Sequence, residues 1–389
     1  MPPRHFTTPI PLALYLHYPW CLQRCPYCDF NSYVGKIDDT GYCDQLIRDL
    51  DLNLPRIWGR RLRSIFIGGG TPSLLSPAAL TVLLQQIRSR LNPLPTTEVT
   101  LEANPGTAEQ GRFHGYRQAG VNRLSLGIQS FDDHQLQNLG RIHDRKQAFA
   151  AITMAQQAGF GAINLDLMFA LPQQGVTAAL DDLRQAIDFG VEHISWYQLT
   201  IEGDTPFAHK PPPHLPQDEQ IWEIATAGSE LLQQHGYHQY EVSAFAREGF
   251  ECRHNRNYWQ FGDYLGLGAG AHSKITHFET GVIAREWRQR HPRHYLEATT
   301  IEAFRQGSEE LSREETIADF FLNALRLNEG VGRAIFEERT ALRWEELTPL
   351  LTEAKTLGLL EPIEDSAIPT RLGRDHLDDL LQIFITSSG

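Results

Sequence analysis

Short apolar segments alternate with helical ones along the first half of the chain, and this alternation limits the fold more than any other feature. The intervening windows 77–91 and 178–189 carry apolar residues at helical spacing. Strands that alternate with helices pair in parallel through right-handed crossovers. The predicted fold class is α/β, as a barrel or an open sheet, with strands at residues 14–18, 64–67, 98–101, 123–128, 162–169 and 194–200.

The regular alternation weakens after residue 202. A proline-rich stretch over 210–216 precedes a predicted helix at 218–235. From about residue 293 the pattern is helical, and it is followed by a strand-like pair at 359–369 and a last amphipathic helix. The second half of the chain is therefore expected to contain a smaller and more helical unit than the first.

These patterns predict three regions. They are a barrel domain over 1–236, a connecting region over 237–292 and a mainly helical, winged-helix-like domain over 293–389. Winged helices often bind DNA, but this last region is rich in Glu and Asp, which repel phosphates. A packing or lid role is the interpretation that its charge favours.

Charge and hydropathy exclude several classes of protein. A formal net charge of −13 over 389 residues disfavours general binding to nucleic acid. The longest apolar runs, such as 163–172, are shorter than the about 20 residues that a membrane-spanning helix needs. Residues 1–11 lack the apolar core of a secretory signal, so we expect the protein in the cytoplasm.

Three of the five cysteines lie close together, in the run Cys21-Leu-Gln-Arg-Cys25-Pro-Tyr-Cys28. This clustering does not suit a disulfide framework and indicates metal. Three thiolates can hold a four-iron, four-sulfur (4Fe-4S) cluster and leave one iron without a protein ligand. That open iron can take the amino and carboxylate groups of S-adenosylmethionine, and an electron from the cluster can then cleave the sulfonium C–S bond.

The spacing alone leaves two other interpretations open. One is a structural zinc site, with His17, Asp29 or Cys43 as the fourth tetrahedral ligand. The other is a set of plain buried thiols. Arg24 and Asp29 make the loop polar and argue for its exposure, so they disfavour this second alternative.

Glycines and polar residues at the predicted strand ends could surround S-adenosylmethionine. The run Gly68-Gly-Gly-Thr-Pro72 follows the second strand, and its backbone can approach a ligand closely. By itself a triple glycine is as often only a tight loop. Glu102, Gln129 and Asp166 lie at or near strand ends, where α/β sheets bind their ligands. Arg141 could pair with the ligand's carboxylate.

Several longer motifs identify a family. They are Tyr15-Leu-His-Tyr-Pro-Trp-Cys21, Cys25-Pro-Tyr-Cys-Asp-Phe-Asn31, Gly68-Gly-Gly-Thr-Pro-Ser73, Leu101-Glu-Ala-Asn-Pro105, Leu126-Gly-Ile-Gln-Ser-Phe131, Leu139-Gly-Arg141 and His254-Asn-Arg-Asn-Tyr-Trp259. With them the whole chain resembles the radical S-adenosylmethionine family of oxygen-independent coproporphyrinogen III oxidase and its heme-chaperone relatives. Together the motifs are far more specific than any one of them.

The resemblance implies a partial (β/α)6 TIM-type barrel with a smaller C-terminal domain, and it implies roles for single residues. Cys21, Cys25 and Cys28 would hold the 4Fe-4S cluster. The ring of Tyr27 would lie beside the adenine, and Thr200 would give backbone contacts to the nucleoside. The residues implied to bind S-adenosylmethionine are Tyr15, Tyr27, Gly69, Gly70, Thr71, Glu102, Gln129, Arg141, Asp166 and Thr200.

Phe30 distinguishes the two branches of this family. The oxidase has a fourth cysteine two positions beyond the third and a longer segment before the cluster. This chain has Phe30 at that position and reaches its first cysteine at residue 21. It therefore resembles the heme chaperone, and the alternative is the oxidase, which decarboxylates coproporphyrinogen in porphyrin biosynthesis. Whether cleavage of S-adenosylmethionine serves heme release or a separate reaction stays open.

The last motif is implied to bind heme. His254 would be the axial ligand of the iron, and Tyr258 and Trp259 could cover the porphyrin face. Cys252 is a weaker candidate, either as an iron ligand or as a thiol that reacts with a heme vinyl group. The implied partners are heme and an acceptor hemoprotein, for example a membrane-associated respiratory enzyme. Both a monomer and a cluster-dependent dimer fit the sequence.

Overall fold

A computed structural model describes residues 4–35, 38–106 and 111–385, so the first three residues of the N-terminal segment 1–11 lie outside it. Its strands, in chain order, are β1 (Leu12–Tyr18), β2 (Trp20–Cys21), β3 (Tyr33–Val34), β4 (Leu62–Gly69), β5 (Glu98–Ala103), β6 (Arg123–Gln129), β7 (Ala162–Phe169), β8 (His193–Gln198), β9 (His238–Glu241), β10 (Ala244–Ala246), β11 (Asp263–Leu267), β12 (His272–His277), β13 (Val282–Arg288), β14 (Arg305–Glu310), β15 (Val331–Gly332) and β16 (Ser366–Ala367).

The helices cover the sheet and build the C-terminal part. In chain order they are α1 (Asp39–Ile57), α2 (Pro77–Leu91), α3 (Phe113–Ala119), α4 (Asp133–Asn138), α5 (Arg145–Ala158), α6 (Val176–Asp188), α7 (Pro206–His209), α8 (Asp218–Gln234), α9 (Arg253–Trp259), α10 (Pro292–Glu297), α11 (Ile301–Phe304), α12 (Arg313–Ala324), α13 (Arg333–Thr340), α14 (Thr348–Thr356), α15 (Arg371–Asp375) and α16 (Leu377–Ile385). Short 3-10 turns lie at Pro72–Leu74 and Trp344–Leu347.

Within the described residues, twelve strands form one sheet in the order β14-β13-β12-β11-β1-β4-β5-β6-β7-β8-β10-β9. The run from β1 through β4 to β8 is parallel throughout. These are the six strands that the sequence predicts, so the α/β fold class is confirmed. Because the strands are parallel, all their carboxyl ends meet at one edge of the sheet.

The parallel strands are buried on both faces, which is why they are nearly continuous apolar runs. Every residue of β6 is buried, and in β1 only Tyr15 is partly exposed. Leu124 and Leu126 are completely buried and belong to the main core, which the sheet shares with its covering helices. Burial of such strands gives the sheet the rigidity that a ligand site at its edge requires.

Local signals set the helix ends. Helix α2 matches the predicted window, because Ser76 accepts a hydrogen bond from the Ala79 N–H at 3.2 Å and Pro77 occupies the first turn. Helix α5 begins with a capping box between Asp144 and Gln147. These caps fix where each connection turns back towards the next strand.

The sheet extends further than the sequence predicts. Strand β11 pairs in parallel with β1, and β12, β13 and β14 continue it antiparallel. The predicted helical character from residue 293 is wrong for Arg305–Glu310, which is strand β14. This strand carries polar residues on both faces, so it lacks the alternation that reveals a strand. The predicted domain limits at 236 and 292 stay predictions, and strands of the one sheet lie on both sides of each.

The C-terminal part has its own core and is mainly helical, as predicted. Phe320, Phe336 and Leu380 are completely buried in it. Strands β15 and β16 pair antiparallel, and a bridge joins Leu360 to Pro369. None of the described helices is long and apolar enough to cross a bilayer.

Candidate cluster and cofactor site

The three predicted cluster cysteines lie together on the loop that follows β1. Cys21 ends β2 and is buried, whereas Cys25 and Cys28 are half-buried, and all three are free of disulfides. The Cys28 N–H donates to the Cys25 carbonyl at 3.1 Å, which closes a tight turn between these two thiols. All three side chains line one cavity at the carboxyl ends of the parallel strands.

Distant parts of the chain hold this loop in place. The Phe207 N–H, in α7, donates to the Pro26 carbonyl at 3.0 Å. Gln23 Nε2 donates to the Gly140 carbonyl at 3.1 Å. The position of the thiols is thus fixed by the folded chain as well as by their own spacing.

The donor set suits a cluster better than a single ion. Within residues 4–35, 38–106 and 111–385, no group of three or more His, Cys, Asp or Glu side chains is arranged to hold one metal ion. His17 lies with Nε2 2.8 Å from the Asn31 carbonyl oxygen and Nδ1 3.0 Å from the Tyr15 hydroxyl, so both nitrogens are engaged. Cys43 is buried on α1. Ligands of a cubane bind different irons, so their sulfurs need not converge on one point.

The glycines after β4 let the backbone pass close to its neighbours. Gly69 has φ +119°, and a Cβ there would lie 2.8 Å from the imidazole of His17. A Cβ on Gly70 would lie 2.6 Å from the Trp20 carbonyl oxygen. The Gly69 N–H donates to Glu102 Oε2 at 3.1 Å. Larger residues at these positions would push the strand end away from the cysteine loop.

Arg141 reaches the cysteine loop from the turn after α4. Its Nη2 donates to Asn104 Oδ1 at 2.7 Å and to the Gly127 carbonyl at 2.8 Å. Its Nη1 lies 3.7 Å from Cys25 Sγ. The guanidinium is therefore held in one position beside the thiols, where it can neutralise an anionic ligand.

Two carboxyl groups line the same cavity. Burial, with the nearby Asp166 charge, raises the pKa of Glu102 to about 8, so Glu102 is mostly protonated at neutral pH and can donate a hydrogen bond. Burial also raises the pKa of Asp166, which accepts hydrogen bonds from Ser125 Oγ at 3.1 Å and Asn164 Nδ2 at 2.7 Å. Glu102 can thus donate to a ligand, whereas both carboxylate oxygens of Asp166 already accept hydrogen bonds from the protein.

The structure brings most of the predicted cofactor residues to this cavity and adds others that were not predicted, among them three polar ones. Gln129 has φ +69° and accepts a hydrogen bond from the Tyr197 hydroxyl at 2.7 Å. Tyr197, Asn104 and Ser125 also line the cavity. Asn104 belongs to a motif quoted above, and Tyr197 lies in the predicted sixth strand at 194–200, so the sequence contained a signal for both. The predicted residues that line the cavity are Cys21, Cys25, Tyr27, Cys28, Gly69, Gly70, Thr71, Glu102, Gln129, Arg141 and Asp166.

Two predicted cofactor residues lie outside this cavity. Tyr15 lines the neighbouring one, and its hydroxyl is bound to His17. Thr200 is exposed, beyond the end of β8. Their predicted contacts with S-adenosylmethionine would need a ligand that extends past the cavity walls.

His254 lies in a different place from these residues. It is only 3 % exposed, and its Nδ1 lies 2.9 Å from Ser64 Oγ. Its ring stacks on Phe66 with 4.9 Å between centroids and touches Tyr258 at 5.0 Å. Burial, with the Arg123 charge, lowers the pKa of His254 to about 3. The imidazole is neutral and packed, and axial ligation of heme would require this packing to open.

Cys252, directly before α9, is also buried. Its Sγ lies 3.7 Å from Glu98 Oε1, and burial raises the pKa of its thiol to about 12. A protonated, buried thiol is a poor nucleophile and a poor metal ligand. The surroundings of Cys252 therefore do not support a role for it as a heme ligand or as a thiol that reacts with heme.

Comparisons with known proteins agree with this geometry. Residues 15–189 match the radical SAM superfamily, and residues 311–376 match the HemN C-terminal domain. The heme chaperone HemW of Haemophilus influenzae is 46% identical, over 97% of this chain and 98% of that protein. HemW of Escherichia coli is 45% identical, over 96% and 98%. The solved structure of coproporphyrinogen III oxidase from Escherichia coli has the same fold, with TM-score 0.81, 24% identity and coverage of 97% and 91%.

Proposed function

The chain belongs to the radical S-adenosylmethionine superfamily and, within it, to the heme chaperone HemW family, and on that premise we propose that it is a heme chaperone. It binds heme, a 4Fe-4S cluster and S-adenosylmethionine, and it passes heme to an acceptor hemoprotein. We propose that it acts in the cytoplasm and that a membrane-associated respiratory enzyme is the first acceptor to test.

One observation carries the cofactor part of this proposal: three cysteine thiols and eight predicted cofactor residues line the same cavity. Cys21, Cys25 and Cys28 would hold the cluster, in a loop that other elements of the barrel fix. The chemistry that a bound cluster supplies is one-electron reductive cleavage of the sulfonium C–S bond. The protein supplies position and charge around that reaction.

Each wall of the cavity suits one part of S-adenosylmethionine. Arg141, held by Asn104 and Gly127, faces an anionic group and would bind the carboxylate. Protonated Glu102 can donate to a ribose oxygen, and Asp166 can accept from a ribose hydroxyl. The backbone at Gly69 and Gly70 would pass along the ligand without a side chain in between.

Anaerobic reconstitution with iron and sulfide tests the proposal directly. Parent protein should bind a full cluster, then S-adenosylmethionine, then hemin, as read from iron content, equilibrium dialysis and absorption spectra. The triple variant Cys21→Ala, Cys25→Ala, Cys28→Ala should lose the cluster, whereas Cys43→Ala, outside the loop, should keep it. Transfer of heme to an added apo-hemoprotein then tests the chaperone activity.

The same preparation distinguishes the oxidase. Coproporphyrinogen incubated with reductant and S-adenosylmethionine would give vinyl products at repeated turnover if the chain were the decarboxylase. A parent protein that binds no hemin but forms such products would replace the chaperone proposal with the oxidase.

A further inference from the structure

A second cavity, of about 560 Å³, opens beside the cluster loop. Its walls come from that loop, from β1 and α9, and from the unpredicted strands β11, β12, β13 and β14. Phe30, at the position of the oxidase's fourth cysteine, is 61 % exposed and lines both this cavity and the cofactor cavity. The volume lies in the range of sites for cofactor-sized ligands.

Aromatic rings form part of the walls of this cavity. Tyr258 and Tyr264 stack with 4.1 Å between ring centroids and 25° between planes. Trp287 lies opposite Gly307 on the neighbouring strand, where a Cβ would come within 2.2 Å of the indole. Glycine at 307 therefore leaves room for the indole to lie across β14. Aromatic surfaces of this kind suit a flat, aromatic ligand.

One imidazole in this cavity is free to bind a metal. His272, at the start of β12, is exposed, and its ring runs nearly parallel to Trp287, at 24° and 6.1 Å between centroids. Its ring nitrogens form no hydrogen bond with any residue that the structure describes. By contrast, both nitrogens of His17 are engaged, and His254 is packed one layer behind Tyr258.

A cation lies at the rim of the same cavity. Arg290 is exposed, and among the described side chains it has no carboxylate partner, its Nε lying 3.4 Å from Asn31 Oδ1. Asp29 also lines the cavity and is its acidic group. A ligand with carboxylates at one edge would find the guanidinium available for a charged hydrogen bond.

We propose that this cavity is the heme site and that His272 is the residue that ligates the heme iron, with Arg290 pairing with a propionate. The inference rests on the proposed function, because it names the binding site for the same cargo. It gives the His254 motif a different role: Tyr258 forms part of the cavity wall, and His254 supports Tyr258 from behind. The site adjoins the cluster loop, so occupancy of one cavity can affect the shape of the other.

Hemin titration of reconstituted protein tests His272. The variant His272→Ala should bind hemin more than about tenfold more weakly than the parent and lose the absorption spectrum of histidine-ligated heme. Added imidazole should restore that spectrum in His272→Ala, which a merely unfolded variant would not show. His235→Ala, which replaces an exposed histidine directly after α8, should behave as the parent.

A second pair of titrations tests the proposed pairing of Arg290 with a heme propionate. Arg290→Gln should weaken hemin binding about two- to fivefold and leave binding of hemin dimethyl ester unchanged, because the ester lacks the charges that Arg290 would pair with. Equal weakening for both ligands would remove Arg290 from the proposal.

The outcomes separate this inference from the proposed function. If the parent binds hemin and His272→Ala binds it with the same affinity and spectrum, the heme site proposed here is wrong and the chaperone proposal stands. Loss of the spectrum in His254→Ala alone would return the ligand role to the motif histidine. If the parent binds no hemin at all, both proposals fail.

Discussion

The two ends of the six parallel strands are built in different ways. At the carboxyl ends, the cysteine thiols, Arg141 and Glu102 face an open cavity. At the amino ends, helix α9 lies against the strands, and Ser64, Glu98 and His254 are paired with one another or with the backbone. Buried polar groups that satisfy each other stabilise a fold, whereas polar groups that face open space are available to a ligand. By this criterion the carboxyl end of the strands is a ligand site, and the amino end has a structural role.

The largest effect is expected when one thiol is removed from each end of the strands. Cys25→Ala should abolish the reconstituted cluster, because the cubane needs three protein ligands. Cys252→Ala, at the amino end, should leave iron content and visible absorption at the parent level. A Cys252→Ala variant that fails to take up iron would show that the amino end takes part in cofactor binding.

His254→Ala tests the structural role of the amino end. The variant removes a buried ring that packs on Phe66 and Tyr258 and loses the contact with Ser64. We expect a loss of about 2–4 kcal/mol in the free energy of unfolding, measured with urea. Ser64→Ala, which removes only the hydroxyl, should cost about 1 kcal/mol. An unchanged stability in His254→Ala would mean that the ring is not part of the core.

The difference between the two ends also explains what the sequence could predict. Strands such as β6 are continuous apolar runs, and Ser76 marks the start of α2, so both are visible in local sequence. The cofactor residues converge because parallel strands end at one edge, which follows from topology alone. The surroundings of His254 were not predictable, because Ser64 lies 190 positions away.

The second cavity was missed for a related reason. Strand β11 joins the sheet beside β1, from the opposite half of the chain. Its partners β12 and β13 then carry His272 and Trp287 to the edge of the cluster loop. A pattern read within one short window contains no information on which distant strand will be the neighbour. Motif recognition found the cluster loop and could not find the cavity next to it.

Replacement of Arg141 measures how much the open cavity contributes to ligand binding. Arg141→Ala should weaken the binding of S-adenosylmethionine by about 1.5–3 kcal/mol, or roughly 10- to 100-fold in Kd, because a charged hydrogen bond is lost. Anaerobic equilibrium dialysis measures this in protein of matched iron content, since Arg141 also contacts Cys25. Arg184→Ala, on the exposed face of α6, is the control. If the parent and Arg141→Ala bound S-adenosylmethionine with equal affinity, Arg141 would not be the partner of the ligand's carboxylate.

The last comparison concerns the proton on Glu102. The fold raises the pKa of Glu102 from 4.5 to about 8. The folded chain therefore keeps a proton that the unfolded chain has already lost, and this contribution to stability is complete below pH 4.5 and disappears as the pH rises through about 8. One such group changes the free energy of unfolding by at most about 1.4 kcal/mol per pH unit.

Glu102→Gln removes this proton while keeping a side chain that can donate. Urea denaturation before addition of S-adenosylmethionine, at pH 6 and at pH 8.5, should show that the parent loses more stability with rising pH than Glu102→Gln does. Other groups titrate in both proteins, so the difference between them isolates residue 102. Parallel pH dependences would mean that Glu102 is ionised in the folded protein, and the cavity would then face the ligand with a second negative charge beside Asp166.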